Sequence, residues 1–80
     1  FNPETRISYD IVSSGMVSIV VYDILGRKIV DLVNESKVPG RYNVLWNGND
    51  AVGNPVGSGV YLYQLKSGQF SKTRKMVISR

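Results

Sequence analysis

A chain of 80 residues with 42% hydrophobic and 20% charged side chains makes one small domain, too apolar for disorder and without the run of roughly 18 apolar residues that a membrane span requires. Cysteine is absent, so neither disulfides nor thiolate metal sites contribute and the core must hold by packing alone. The net charge of +4 is lopsided, because residues 51–80 carry Lys66, Lys72, Arg74, Lys75 and Arg80 and no acid; Phe70 is their only close aromatic, which falls short of a stacking platform for nucleic acid.

Residues 5–11 alternate polar and apolar with period two, so Ile7, Tyr9 and Ile11 share one face of a first strand. Ser13-Ser14-Gly15 ends it. Residues 16–23 then set Val17, Ile19 and Val21 on one face, and their β-branched content makes this the predicted central strand. The turn Asp23-Ile24-Leu25-Gly26 leads into a third strand over residues 27–33, and its apolar pair Ile24-Leu25 predicts a turn that packs back onto the body.

Residues 34–40 read as a polar connection closed by Pro39-Gly40. Tyr42, Val44 and Trp46 alternate on a fourth strand, with Trp46 at its end. After a Gly- and Asn-rich loop over residues 47–59, residues 60–66 form a fifth strand with Tyr61, Tyr63 and Leu65 on one face. Ser67-Gly68 turns the chain into a last strand over residues 70–79. Six strands are visible, and a short seventh is expected in the loop before Val60. Turns at intervals of about ten residues, with eight glycines, match an all-β sandwich of six to seven strands.

Catalytic chemistry finds little to work with. The chain has no His or Cys, and Asp23 and Asp31 are the carboxylates on adjacent strands that could pair as general acid and base, with nothing nearby to raise either pKa. Asn47, Asn49 and Asp50 resemble the oxygen-rich start of a calcium loop, but the bidentate Glu expected at its far end is missing, and Asx turns account for the same residues. Gly48, Gly53, Gly57 and Gly59 lack the Lys-Ser/Thr and helix of a phosphate loop. Trp46 is expected in the core rather than against a sugar, and Tyr61 at a tyrosine corner. The expectation is a non-catalytic binding or address module without cofactor or metal.

Four motifs, in order, carry a family resemblance. Phe1-Asn2-Pro3-Glu4-Thr5-Arg6-Ile7-Ser8-Tyr9 resembles the FNPxTxIxY opening of the type A C-terminal sorting domains of the type IX (Por) secretion system, and Val21-Tyr22-Asp23-Ile24-Leu25-Gly26-Arg27 resembles their VYDxxGR turn. Trp46-Asn47-Gly48-Asn49-Asp50 with Gly53, Val56 and Ser58-Gly59-Val60-Tyr61 is similar to their tryptophan and glycine block, and Lys75-Met76-Val77-Ile78 to their basic and apolar ending. The resemblance spans essentially residues 1–80 as a single domain, and the immunoglobulin-like domain of the flagellar hook-capping protein shares the W-N-G and G-x-Y features.

The resemblance implies an immunoglobulin-like sandwich at the C-terminus of a larger secreted protein, consistent with an opening at Phe1 rather than Met. It implies an address that travels through the periplasm and is read by the outer-membrane secretion machinery, with delivery to the cell surface or medium. The residues expected to meet that partner are Lys72, Arg74, Lys75, Met76, Val77, Ile78 and Arg80 on and after the terminal strand. A solvated basic face that protects a sheet edge explains the same charges. The other reading is a structural or carbohydrate-contacting accessory module of a surface enzyme. Either way the domain is expected to be a monomer that binds no nucleic acid and inserts in no membrane.

Overall fold

The computed structural model describes residues 4–80, so the Phe1-Asn2-Pro3 part of the first motif lies outside the described residues. Six strands follow in chain order: β1 (Thr5–Ile11), β2 (Gly15–Asp23), β3 (Lys28–Lys37), β4 (Gly40–Trp46), β5 (Gly59–Ser67) and β6 (Phe70–Ile78). They form two antiparallel sheets, β1-β4 and β3-β2-β5-β6, with β2–β3 and β5–β6 as hairpins in the larger sheet and the remaining connections crossing between sheets. This is an immunoglobulin-like sandwich, two strands stacked on four.

Period two explains the core. Ile7, Tyr9 and Ile11 of β1 and Trp46 of β4 face Val17, Ile19 and Val21 of β2, Val33 of β3, Tyr61 and Leu65 of β5, and Met76 and Ile78 of β6. The three β2 side chains have no solvent exposure at all, as the position of β2 between β3 and β5 requires. Each such aliphatic burial contributes about 1.5 to 3 kcal/mol relative to exposure. The larger sheet is wider than its cover, and this inequality shapes everything at its β6 border.

Four expectations need correction. β3 runs on to Lys37, because β2 needs a partner over its first half and Glu35, Ser36 and Lys37 stand opposite Val17, Met16 and Gly15. Its polar composition hid that edge segment. Register shifts between Ile19 and Val20 and between Val21 and Tyr22 leave Leu32 and Ile29 as extra residues on β3, which breaks the alternation by which a strand is recognised. Among the described residues no seventh strand precedes β5; an isolated bridge between Asn49 and Pro55 is all that the loop forms.

The apolar turn at Ile24-Leu25 does not pack back, with the two side chains 70% and 74% exposed. Its backbone is a three-residue hairpin loop in which Gly26 N–H donates to the Asp23 carbonyl at 3.0 Å and Gly26 takes φ of 85°. That geometry aims the two side chains outward. The β5–β6 reversal uses Gly68 and Gln69, not Ser67, as its central pair: Ser67 stands opposite Phe70, and Gly68 has φ of 59°.

Candidate partner-binding site

β6 borders the larger sheet and, among the described residues, pairs with β5 on one side only. The residues expected to meet a partner divide into three groups there. Met76 and Ile78 face inward and are 7% and 3% exposed, so they are core residues and not contacts. Lys75 and Val77 point the other way, and Val77 is 70% exposed. Lys72 and Arg74 share the inward parity of Met76 yet remain exposed, because no strand of the smaller sheet lies over them.

Arg80 does something else. Its Nε donates to the Val56 carbonyl at 2.6 Å, Nη2 donates to the Gly48 carbonyl at 2.7 Å, and its backbone N–H donates to Ser58 Oγ at 3.0 Å. The guanidinium thus ties the end of the described chain across the 47–59 loop. Arg80 acts as a clasp on that loop, and neither its position nor its charge revealed this in the sequence.

The loop is anchored from beneath by two aromatics. Trp46 is 1% exposed, meets the Tyr61 ring edge-on with centroids 5.5 Å apart, and donates its indole N–H to the Asn49 carbonyl at 2.9 Å. Tyr61 donates its hydroxyl to the Gly57 carbonyl at 2.8 Å, four residues upstream, which is the expected tyrosine corner. A second bond of the same span, Tyr42 hydroxyl to the Val38 carbonyl at 2.7 Å, closes the β3–β4 connection and was not foreseen.

Asp-x-x-Gly turns occur twice with one hydrogen-bond pattern. In the first, Asp23 Oδ1 accepts from the Leu25 and Arg27 N–H groups, both at 2.9 Å, while the Asp23 N–H donates to the Arg27 carbonyl. In the second, Asp50 Oδ1 accepts from Val52 and Asn54 at 3.1 and 2.9 Å, and the Asp50 N–H donates to the Asn54 carbonyl. Gly26 and Gly53 occupy equivalent places with φ of 85° and 91°. The pentamers DILGR and DAVGN are the sequence trace of this repeat, legible only once the bonds are known.

These turns engage the side-chain oxygens of Asn47, Asp50 and Asp23, while Asn49 Oδ1 is buried without a hydrogen-bond partner among the described residues. Asn47 Oδ1 accepts from the Asn49 N–H at 3.1 Å, so both it and Asp50 Oδ1 serve the backbone in Asx turns. Among the described residues no three His, Cys, Asp or Glu side chains cluster as a metal site. The Arg27 backbone N–H, reinforced by the Arg27 guanidinium at 2.8 Å, holds the Asp23 carboxyl below the usual carboxylate range. That is opposite to the shift a general acid requires. Asp31 is paired with Lys28 at 2.8 Å.

What stands open is the border of the sandwich on the β6 side. Ser8, Tyr9 and Asp10 of β1 form one wall of a groove of about 370 Å³, and Phe70, Lys72 and Arg74 of β6 form the other. Tyr63 and Leu65 of β5 lie at its floor. Asp10 is neutralised by Arg41 at 3.0 Å, whereas Lys72 and Arg74 make no ion pair among the described residues, so the groove is basic.

The fold has a solved counterpart. The chain is similar to the crystal structure of FlgD, the flagellar hook-capping protein, from P. aeruginosa, with a TM-score of 0.72 and 23% sequence identity over 94% of this chain. The matched region spans 59% of the FlgD chain. At that identity the likeness is one of fold. No protein-family model and no curated protein sequence matches the chain.

Proposed function

We propose that this domain is a non-catalytic C-terminal sorting domain, which directs a secreted cargo protein through the type IX secretion system to the cell surface. The observation that carries the reading is the series of four motifs, in the order and spacing of that family, over nearly the whole chain. The structural task of each described motif supports it. Thr5–Ile11 supplies one strand of the smaller sheet, the VYDILGR segment a carboxylate-bonded hairpin, and the tryptophan and glycine block the loop that Trp46, Tyr61 and Arg80 hold.

In this reading β6 is what the outer-membrane machinery recognises, through its free edge and the outward residues Lys75 and Val77 rather than through Met76, Ile78 or Arg80. An edge strand is an element that a partner can extend by main-chain pairing. The second reading is a permanent structural module, since one fold serves unrelated functions. A carbohydrate-contacting role is less well supported, because the indole of Trp46 is enclosed.

A reporter with an N-terminal export signal and this domain at its C-terminus tests the proposal in a bacterium that has the type IX machinery. The reporter should reach the cell surface, and the same reporter without the domain should stay in the periplasm. Lys75→Ser combined with Val77→Ser keeps the core and should reduce surface delivery. Deletion of the last residues is a poor substitute, because it removes Met76 and Ile78 from the core. Equal surface delivery with and without the domain overturns the proposal and leaves the structural module.

A further inference from the structure

We propose that the groove between the free edges of β1 and β6 receives an extended, acidic segment of a partner protein, added as a third strand beside β1. This site uses the edge of β1 and the inward row of β6, whereas the sorting reading uses the main-chain edge and the outward row of β6.

β4 runs along the β3 side of the sandwich, and β1, paired with β4 alone among the described residues, lies toward β6. Two strands cover four, so among the described residues no strand lies opposite the inner face of β6 from Phe70 to Arg74. One more strand beside β1 would stand there. On a strand edge alternate residues turn their N–H and C=O groups away from the paired neighbour, so the groove-side edge of β1 offers a ready row of main-chain partners.

Cross-strand partners share a face, and the register sets Leu65 beside Lys72, Tyr63 beside Arg74 and Ser67 beside Phe70. The uncovered face therefore presents, in alternate positions of β6, an aromatic ring and two cations: Phe70 at 56% exposure, then Lys72, then Arg74. An incoming strand matches that row with an apolar side chain followed by two carboxylates on its inward face. Guanidinium and ammonium groups without partners attract such carboxylates, and the free row of β1 fixes the strand's path.

A second copy of this chain fits poorly. Its strand carboxylates are already engaged within the chain: Asp10 with Arg41, Asp31 with Lys28 and Glu35 with Lys37, as is Asp23 at the head of the β2–β3 turn with Arg27. A copy would instead bring its own excess of positive charge, +4 in all, to a basic groove. A segment of a partner protein richer in free carboxylates than this chain fits the groove better than a second copy does.

The probe is a labelled peptide, Glu-Thr-Glu-Thr-Leu-Thr, whose inward face reads acid, acid, apolar, titrated into the isotope-labelled 80-residue chain. Saturable amide shifts are expected at Ser8, Tyr9 and Asp10 and at residues 70–74, with binding that weakens as salt rises. Lys72→Glu combined with Arg74→Glu should weaken binding by about tenfold or more, while an unchanged amide spectrum elsewhere shows that the fold persists. Methylating alternate backbone nitrogens of the peptide, in each of the two frames, should abolish binding in one frame only, which marks pairing to β1. No saturable shifts, shifts confined to other surfaces, or equal binding of both methylated frames overturns the proposal. So does a concentration-dependent dimer whose contacts map to this groove, which would make a second copy the occupant.

Discussion

The two halves of β6 obey one alternation and meet opposite fates. At the closed end Met76 and Ile78 enter the core beneath Trp46 and Tyr61, and Arg80 then crosses the 47–59 loop. At the open end Phe70, Lys72 and Arg74 have the same inward parity and remain in water. The difference is the covering sheet, which reaches the last residues of β6 and not the first. Inward geometry alone therefore does not bury a side chain; a facing element must be present. Two of the three inward residues of the open half, Lys72 and Arg74, are charged, which protects that edge against pairing with other chains.

The comparison breaks most decisively at Trp46. Trp46→Ala removes the indole from a site 1% exposed, together with its bond to the Asn49 carbonyl, and should cost about 3 to 5 kcal/mol in urea denaturation. A midpoint near the wild-type value would mean that the closed end is not where the fold is held. Next in size is Arg80→Ala, which frees the Val56 and Gly48 carbonyls and should cost about 1 to 2 kcal/mol. Hydrogen exchange should accelerate across residues 48–58 and stay unchanged at the open end. Uniform acceleration would show that Arg80 serves global stability rather than the loop.

Acid sharpens the contrast further. The Asp23 carboxyl, depressed first by the Arg27 backbone N–H, lies at the closed end, where Asp23 stands opposite Tyr61. A group whose folded pKa is lowered contributes stability that is present above its unfolded value, about 3.9, and lost as pH falls through the folded value. Wild-type stability should therefore decline more steeply below that pH than the stability of Asp23→Asn. Parallel acid profiles would assign the decline to other carboxylates. The smallest effect is expected at the open end: Lys72→Ser with Arg74→Ser should change stability by no more than about 0.5 kcal/mol. A larger loss would mean that these two side chains support the fold and that the groove is not a free surface.

Much of this molecule is written in short-range pattern. The alternations Ile7-Tyr9-Ile11 and Val17-Ile19-Val21, the reversal at Asp23 to Gly26, the buried Trp46 and the Tyr61 corner were all legible, because each depends on the pleat or on bonds within a few residues. Strand β3 was legible only to Val33, since its polar continuation exists to pair with β2 and two register shifts erase its period. Arg80 looked like another surface cation; its bonds reach residues 24 and 32 positions away, a span on which local pattern is silent. Ile24 and Leu25 misled in the opposite sense, because hydrophobicity suggested burial while the hairpin geometry turned them out. Along every strand but β3, the inward residues could be read from the chain alone, since they follow the backbone's two-residue repeat. Only the tertiary structure decided which inward faces were covered, because coverage depends on how many strands each sheet recruits from distant parts of the chain. That unequal recruitment, two strands against four, makes Met76 a core residue and leaves Arg74 at the rim of an open groove.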